Sequence, residues 1–336
     1  MDSTQIKQII AKIKSGSFDP VYFLHGTEAY YIDLISDTIE EHALTEDEKA
    51  FNQMVAYGKD INMMDIISQA KSFPMGADRQ VIILKEAQEI KDFGPLESYL
   101  DQVQPSTILV VCHKYKKLDK RKALYKKLSK QATLVETKEL YDNQVPDWII
   151  SFTKSKGHPI SNKAAALLSE YLGNDLSKIA NEIEKLSLNI PASSEINTEI
   201  IEKFVGISKD FNNFELLDAI ASRNHQKAYQ IVLYFAANPK NHPIILTLIT
   251  LYGFFAKVML IYFLKDKSFK GIMAGAGLNG YNVKSHELAS RNYSSKQVSK
   301  ILSVIKETDM KAKGLNNTSS SSEDLLKELI YKILHS

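Results

Sequence analysis

The sequence has little cysteine and little net charge. Its 336 residues include one cysteine, Cys112, so an internal disulfide and a cysteine-rich metal site are both excluded. The eight histidines show no metal-ligand spacing, and we expect no bound metal. Lysine and arginine total 42 against 40 aspartates and glutamates, a net charge of +2. Any basic surface must therefore be local.

Targeting and membrane segments are also lacking. The first residues carry neither the basic region nor the apolar block of a signal peptide. Residues 243–264 are almost wholly apolar, but Lys257 interrupts them after 14 residues, and a membrane span needs roughly 18 or more uncharged residues. This run is better explained as a helix buried on nearly all sides, inside a helical domain or at a subunit interface. We expect a cytoplasmic protein with no membrane contact.

Hydrophobic patterning divides the chain. Residues 1–140 alternate between helices and near-continuous apolar strands, which predicts a parallel sheet covered by helices on both faces. The predicted strands are 20–25, 53–57, 80–84, 106–112 and 133–136. After about residue 141 only helices are predicted. They are short up to Gly206 and longer from Asp210 onward. The predicted fold class is an α/β domain followed by two all-α domains.

The first strand leads into a loop that lacks the residues of a phosphate site. Gly26 and Thr27 follow that strand, and a helix begins near Glu28. A phosphate-binding loop needs G-x-x-x-x-G-K-[ST], and here the second glycine and the lysine are missing. Strand 80–84 ends in Lys85-Glu86, where an aspartate that binds Mg²⁺ would stand. No catalytic triad or nucleophile-elbow pattern is present either. The sequence therefore predicts an ATPase-shaped protein without a nucleotide cofactor or catalysis of its own.

A basic run covers residues 113–130, with nine lysines and arginines and one acid, Asp119. It can be a solvated helix face, which is the common outcome, or it can contact a phosphate backbone or an acidic partner. Both interpretations stay open. The candidate contact residues are Lys116, Lys117, Lys120, Arg121, Lys122, Lys126 and Lys127.

Residues 72–77 join a predicted helix to strand 80–84 and place Phe73 and Met75 on either side of Pro74. Spacing alone favours a turn whose apolar side chains fold back onto the sheet edge. The alternative is an exposed wedge that a partner pocket receives, because exposed apolar groups cost solubility unless a partner covers them.

Several segments, taken in order along nearly the whole chain, resemble the delta subunit of the bacterial DNA polymerase III clamp loader. The segments are 21–28, 72–75 with 78–81, 117–121, 173–176 with 181–186, and 307–314. The resemblance implies an AAA+-like domain over 1–140 without a working ATP site, a small helical lid over 141–209, and a helical collar over 210–336 that holds the subunit in a pentamer.

In that family, the tip between a helix and a strand of the first domain inserts apolar side chains into a pocket of the ring-shaped sliding clamp. The resemblance places this tip at residues 72–77, so Phe73 and Met75, with Pro74 between them, become the wedge candidates. It also implies a non-catalytic subunit of the polymerase holoenzyme. Its partners would be the sliding clamp (beta), the ATPase subunits (gamma/tau), delta-prime and, through the assembled complex, primer–template DNA.

Three alternatives remain. One is an ATPase or nucleotide-dependent remodeller with an unusual site, which the missing lysine disfavours. Another is the sister ATPase-deficient subunit of the loader, whose family usually keeps cysteines at zinc spacing and an arginine for a neighbour's ATP. The last is a helical scaffold with no role in replication, which predicts neither clamp binding nor assembly with loader ATPases.

Overall fold

The computed structural model describes residues 3–208, 210–278, 280–315 and 320–336. Its contacts divide the chain into two compact units, Met1–Leu140 and Tyr141–Ser336. The predicted division of the second unit into a lid and a collar at residue 210 stays a prediction.

The first unit is built on one five-stranded parallel sheet with the order β2-β3-β4-β1-β5. Phe23 of β1 lies opposite Val111 of β4 on one side and Leu134 of β5 on the other. The strands are β1 (Val21–Gly26), β2 (Gln53–Tyr57), β3 (Gln80–Lys85), β4 (Thr107–Lys114) and β5 (Thr133–Thr137). This order is that of the AAA+-like fold, and the predicted fold class is confirmed.

Helices cover this sheet because its central strands are apolar along their whole length. The side chains of β1 are buried throughout, and Ile66 and Leu96 from the flanking helices join them in one core. The helices are α1 (Ser3–Lys14), α2 (Ala29–His42), α3 (Glu46–Asn52), α4 (Met63–Ala70), α5 (Gly94–Tyr99) and α6 (Ala123–Gln131). Sequence patterning missed α3, which is only seven residues long.

The pattern of the basic run predicts a helix over about 119–130, but α6 begins later, at Ala123. The carboxylate of Asp119 accepts hydrogen bonds from the backbone N–H and the guanidinium of Arg121. This local bonding competes with the helix, because aspartate side chains that bond nearby backbone groups favour turns. Residues 115–122 therefore form a loop between β4 and α6.

The described part of the second unit is helical apart from one isolated bridge between Ile160 and Ile196. Its first helices are α7 (Val145–Ser155), α8 (Asn162–Leu172), α9 (Leu176–Asn189) and α10 (Thr198–Val205). They are followed by α11 (Asn213–Ala221), α12 (His225–Ala237), α13 (Ile244–Phe263), α14 (Phe269–Gly275), α15 (Gly280–Asn292), α16 (Ser295–Ala312) and α17 (Ser322–Leu334). Patterning did not predict α14 or α15.

Helix α13 is apolar on every side but buried on one. Leu251, Phe255 and Val258 lie in the core of this unit, whereas Ile249 and Phe263 are exposed. By length and composition alone α13 could cross a membrane, yet 44% of its apolar window is buried inside the protein. The prediction that this helix is buried on nearly all sides is therefore wrong for the chain by itself, since one face lacks a cover.

Candidate functional site

The tip loop, residues 72–77, connects α4 to β3 and carries two exposed apolar side chains. Phe73 is 79% exposed and Met75 is 68% exposed, while Pro74 between them is half-buried. Neither Phe73 nor Met75 packs back onto the sheet edge. The loop thus presents an aromatic and a flexible thioether side chain to solvent, which is the chemistry of an anchor for a partner pocket.

The buried side chain of Asn52, at the end of α3, holds the tip loop at Met75. Its Oδ1 accepts a hydrogen bond from the Met75 N–H at 2.7 Å, and its Nδ2 donates to the Met75 carbonyl at 3.0 Å. The same Nδ2 lies 3.2 Å from the carbonyl oxygen of Glu48. Both backbone groups of Met75 are therefore paired, and the fold fixes the backbone from which its side chain projects.

Gln80, the first residue of β3, holds the other end of the tip loop. Its buried Nε2 donates to the Ser72 carbonyl at 2.7 Å and to the Thr107 hydroxyl at 2.9 Å. Thr107 Oγ1 donates in turn to the carbonyl of Ala70, the last residue of α4. Phe73 and Met75 are thus displayed from a loop whose backbone is anchored on both sides. Such pre-ordering lowers the entropy cost of binding.

Sequence reasoning missed both anchors. The sequence offered only a weak signal for them, which is the position of two amide residues. Asn52 stands immediately before β2, and Gln80 is the first residue of β3. Phe51 was missed as well. It is 72% exposed and directly precedes Asn52 in the sequence, so the residue before the anchor of the tip loop is a third exposed apolar residue.

The loop after β1 is bonded to its own sheet. Gly26 has a φ of +139°, and a Cβ at this position would lie 2.0 Å from the carbonyl oxygen of Thr137, so only glycine fits. The Thr27 N–H donates to that same carbonyl, and the Thr27 hydroxyl accepts from the Glu139 N–H. The backbone group that would face a phosphate in a phosphate loop is therefore already paired.

A carboxylate caps the helix that follows this loop. Buried Glu28 accepts a hydrogen bond from the Tyr30 N–H at 3.0 Å at the start of α2. A helix N-terminus favours an anion, and here the chain supplies its own. A phosphate brought to this position would meet a negative charge and an occupied donor.

The basic loop, residues 115–122, lies across the end of β1. Lys116 pairs with Gly26 in an antiparallel bridge, and the Leu118 N–H donates to His25 Nδ1 at 3.2 Å. His25 is fully buried, and burial lowers its pKa to about 4. It is therefore neutral at pH 7, and the loop is held by hydrogen bonding to an uncharged imidazole.

The seven basic candidates fall into two groups. Three are paired with acids of the first unit: Lys120 with Glu136 at 3.0 Å, Arg121 with Asp119 at 2.9 Å, and Lys127 with Asp101 at 2.5 Å. The other four form no ion pair within the described ranges: Lys116, Lys117, Lys122 and Lys126. A partner can bind this second group without competing with an ion pair inside the first unit.

No group of three or more histidine, cysteine, aspartate or glutamate residues is placed to hold a metal ion in the part of the chain that the structure describes. Cys112 is buried in β4, and burial raises the pKa of its thiol to about 12. A thiol in that environment stays protonated and is a packing residue rather than a nucleophile.

The sheet order defines an AAA+-like fold, and the loop after β1 lacks the lysine and the second glycine of a phosphate-binding loop. Residues 22–138 match the model of the family described as DNA polymerase III, delta subunit. The chain is also 31% identical over 229 residues to DNA polymerase III subunit delta of Bacillus subtilis (strain 168), which covers 65% of this chain and 66% of that relative.

A second curated relative, the probable DNA polymerase III subunit delta of Aquifex aeolicus, is 22% identical over 63% of this chain and 62% of its own length. The matched part of the chain thus spans just under two thirds of both curated relatives. Among solved structures, the Bacillus subtilis DNA clamp loader delta protein matches with a TM-score of 0.57 and 25% identity, over 98% of this chain and 100% of that one. The chain belongs to the family of DNA polymerase III delta subunits.

Proposed function

We propose that this protein is the clamp-opening subunit of a DNA polymerase III clamp loader, and that Phe73 and Met75, with Pro74 between them, form the wedge that enters the sliding clamp. One observation carries this proposal. Two large apolar side chains are exposed on a loop whose backbone is anchored at both ends. A loop that only connected α4 to β3 would gain nothing from exposing them, whereas a binding loop needs both the exposure and the anchoring.

The wedge acts by binding the opened clamp interface better than the closed one, because a ligand shifts an equilibrium only through differential affinity. Moving a ring from 1:99 to 99:1 open requires about 5.5 kcal/mol of difference. Burial of Phe73 and Met75 contributes roughly 1.5–3 kcal/mol each. Contacts made by neighbouring exposed groups, such as Phe51, supply the remainder.

The subunit itself neither binds nor hydrolyses ATP in this proposal. Paired Thr27 and the carboxylate of Glu28 occupy the place of a phosphate. The ATPase subunits (gamma/tau) of the loader and delta-prime then supply and relay the nucleotide signal that exposes or hides the wedge. The protein is a non-catalytic member of a cytoplasmic polymerase holoenzyme and carries no cofactor.

The collar, residues 210–336, would join the subunit to those partners through the outer face of α13. Exposed Leu246, Ile249, Leu260 and Phe263 lie on one stripe, with the small residues Gly253 and Ala256 between them. Their positions alternate in steps of three and four, which is the spacing of a seam that packs against another helix. A partner helix covers this face better than lipid does, because the opposite face of α13 belongs to a protein core.

The loop 115–122 and helix α6 together give the proposal its contact with DNA or with an acidic partner surface. Lys116, Lys117, Lys122 and Lys126 are free of ion pairs within the described residues and would meet the phosphates of primer–template DNA in the assembled loader. Lys120, Arg121 and Lys127 are committed to neighbouring acids and contribute less.

Surface plasmon resonance against the sliding clamp of the same organism tests the wedge. The native chain is compared with a Phe73→Ala, Met75→Ala double variant and with Leu188→Ala, a matched control that removes an 87% exposed apolar side chain from the second unit. We expect native and control chains to bind alike and the double variant to lose at least roughly 100-fold in affinity, as for an anchor pair.

The result also separates the alternatives. Binding that survives the double substitution would keep the clamp-loader function and move the wedge to another surface. No binding to micromolar clamp, together with no assembly with loader ATPases, would reject the clamp-opening function and favour an ATPase-like scaffold or remodeller outside clamp loading.

A further inference from the structure

Tyr115 is the first residue after β4, and its side chain points away from the protein. It is 66% exposed, and within the described residues its ring and hydroxyl form no hydrogen bond, ring contact or cation–π contact. The wedge gives this ring no role, because Phe73 and Met75 belong to a different loop. Single exposed apolar side chains are common, so the backbone that carries the ring decides whether it forms a site.

The backbone of Tyr115 adopts a conformation that costs free energy for a bulky residue. Its φ is +61°, in the left-handed region that glycine, asparagine and aspartate occupy more easily. Of the four non-glycine residues with positive φ in the described ranges, Tyr115 is the aromatic one. The chain turns sharply here, because Lys116 returns beside Gly26 in an antiparallel bridge. A glycine would make this turn without strain, and strained positions of this kind cluster at functional sites.

Hydrogen bonds hold the backbone on both sides of Tyr115. The Lys114 N–H donates to Gln88 Oε1 at 3.1 Å. After the turn, the Lys116 carbonyl accepts a hydrogen bond from Nδ1 of buried His113 at 3.3 Å. The ring is therefore displayed from an ordered backbone, which lowers the entropy cost of binding a partner.

Two positive charges follow the ring directly. Lys116 and Lys117 are exposed and form no ion pair within the described ranges. Lys114, on the other side of the ring, is held by Asp33 at 2.6 Å. An exposed aromatic face beside free cations is the combination by which proteins bind single-stranded nucleic acid, because bases stack on the ring and phosphates meet the charges.

Other partners use only half of this combination. An acidic protein surface would pair with the lysines without a need for the ring. Duplex DNA offers phosphates, but its bases are already stacked on one another and paired. A single strand offers both the phosphates and free base faces.

We propose that Tyr115 is a stacking platform for an unpaired base of single-stranded DNA, and that phosphates of the same strand meet Lys116 and Lys117. This inference rests on the proposed function in naming the strand, which in a clamp loader would be the template beyond the primer. The lysines attract any strand, whereas the ring selects one whose bases are unpaired. The site would thereby distinguish a primer–template junction from continuous duplex.

Fluorescence anisotropy of labelled DNA with the full chain at low salt tests this proposal. The probes are a thymidine oligonucleotide of about 15 nucleotides, an abasic strand of the same length, and a blunt duplex. The abasic strand keeps every phosphate and lacks the bases, so the comparison isolates stacking. We expect the thymidine strand to bind roughly fivefold to 100-fold more tightly than the abasic strand.

Variants assign the two contributions. Tyr115→Leu should bind both strands alike, whereas Tyr115→Phe, which keeps the ring, should retain the preference of the native chain. The double variant Lys116→Ala, Lys117→Ala should weaken both strands and lower the salt slope by about 0.7 per lysine. Tyr141→Ala, which removes a 77% exposed tyrosine ring outside the basic run, is the matched control and should keep the native preference.

Tyr115→Gly separates the ring from the stability of the chain. Glycine adopts the positive φ without strain, so this variant should unfold at a higher urea concentration than Tyr115→Leu. Equal loss of the strand preference in both variants would then follow from the missing ring and not from unfolding.

Four results would overturn the proposal. They are no binding of the thymidine strand at chain concentrations up to about 100 µM, equal binding of thymidine and abasic strands by the native chain, tighter binding of the duplex than of the thymidine strand, and a preference that survives Tyr115→Leu. If Tyr115→Leu instead loses assembly with the loader ATPases and keeps the preference, the ring belongs to a protein interface. The strand measurements use no clamp, so their failure would leave the clamp-opening function standing, and a failure of clamp binding would leave the strand site standing.

Discussion

The side-chain amide of Asn52 hydrogen-bonds both the N–H and the carbonyl of Met75, 23 residues further along the chain. This pair connects the end of α3 to the tip loop and fixes the backbone from which the Met75 side chain projects. A loop with the same sequence but without this anchor would sample many conformations, and ordering it on binding would cost free energy. The exposure of the wedge candidates is therefore built into the fold of the first unit.

Asn52→Ala should weaken clamp binding although Asn52 itself is buried. The substitution leaves the Met75 N–H and carbonyl without partners, which costs about 1–3 kcal/mol of folding free energy, and it releases the tip loop. We expect an affinity loss of about fivefold to 30-fold, measured by surface plasmon resonance at a temperature where the variant is fully folded.

Asn197→Ala is the control for that experiment. Asn197 caps α10 in the second unit, so its loss destabilises the chain by about 1 kcal/mol without touching the tip loop. Equal losses of clamp affinity in both variants would show that general instability, and not the anchor, weakens binding.

Phe51→Ala should reduce clamp affinity by a smaller factor than the Phe73→Ala, Met75→Ala double variant. Phe51 is exposed beside the anchor, so its loss leaves the fold intact and removes apolar contact at the rim of the wedge. We expect about a threefold to tenfold loss, typical of an interface residue outside the central anchors. Tyr141→Ala, which truncates another exposed aromatic residue, should leave affinity unchanged. An unchanged affinity for Phe51→Ala would confine the wedge to residues 72–77.

The native chain should not bind a fluorescent ATP analogue in the presence of Mg²⁺, and Glu28→Ala should not restore binding. Removing the carboxylate clears the start of α2 but supplies neither a lysine nor a second glycine. The same variant should lose about 0.5–2 kcal/mol of stability, because the helix loses its cap. Saturable binding to the native chain, measured by fluorescence anisotropy, would contradict a degenerate site.

Glu170→Gln should stabilise the chain at alkaline pH. Burial raises the pKa of Glu170 from 4.5 to about 7, so the folded state holds a proton that the unfolded state has released, and stability is lost as pH rises from 4.5 to 7. The difference corresponds to about 3 kcal/mol, an upper value. Urea unfolding at pH 5 and pH 8 should show the variant gaining stability over the native chain mainly at pH 8.

Two buried histidines change the stability of the folded chain with pH in the opposite direction. Burial lowers the pKa of His25 and of His286 to about 4. The unfolded chain therefore binds protons at these groups before the folded chain does, and the folded state becomes less stable as pH falls below 6.5. They are present in the native chain and in Glu170→Gln, and their effect cancels in the comparison. A stability difference that does not change between pH 5 and pH 8 would contradict the assignment to Glu170.

Among the basic residues, those without ion pairs should matter most for DNA. Replacing Lys122 and Lys126 by alanine should lower the DNA affinity of the assembled loader and reduce the slope of log affinity against log salt by about one per lysine. Lys127→Ala, which breaks the contact with Asp101, should instead change stability slightly and leave the salt slope unchanged. Identical slopes for all variants would assign these basic residues to a solvated surface.

The sequence by itself determined the layered architecture and the identity of the wedge candidates. Continuous apolar strands such as β1 and β4 can only be buried on both faces, and that requirement fixes a covered parallel sheet. The sequence by itself also shows that the loop after Gly26 lacks the lysine of a phosphate-binding loop. The short helix α3 and the two helices after α13 escaped prediction, because their patterns are too short or too polar to stand out.

Only the tertiary structure shows which side chains hold the tip loop. It also shows which groups of the chain, Thr27 and Glu28, occupy the place of a phosphate after β1. The bonds from Asn52 to Met75 and from Gln80 to Ser72 join residues that no local pattern connects. Periodicity reports which face of an element is buried, since burial repeats along the chain. Hydrogen-bond pairing between distant segments does not repeat, so it becomes visible only when the chain is folded.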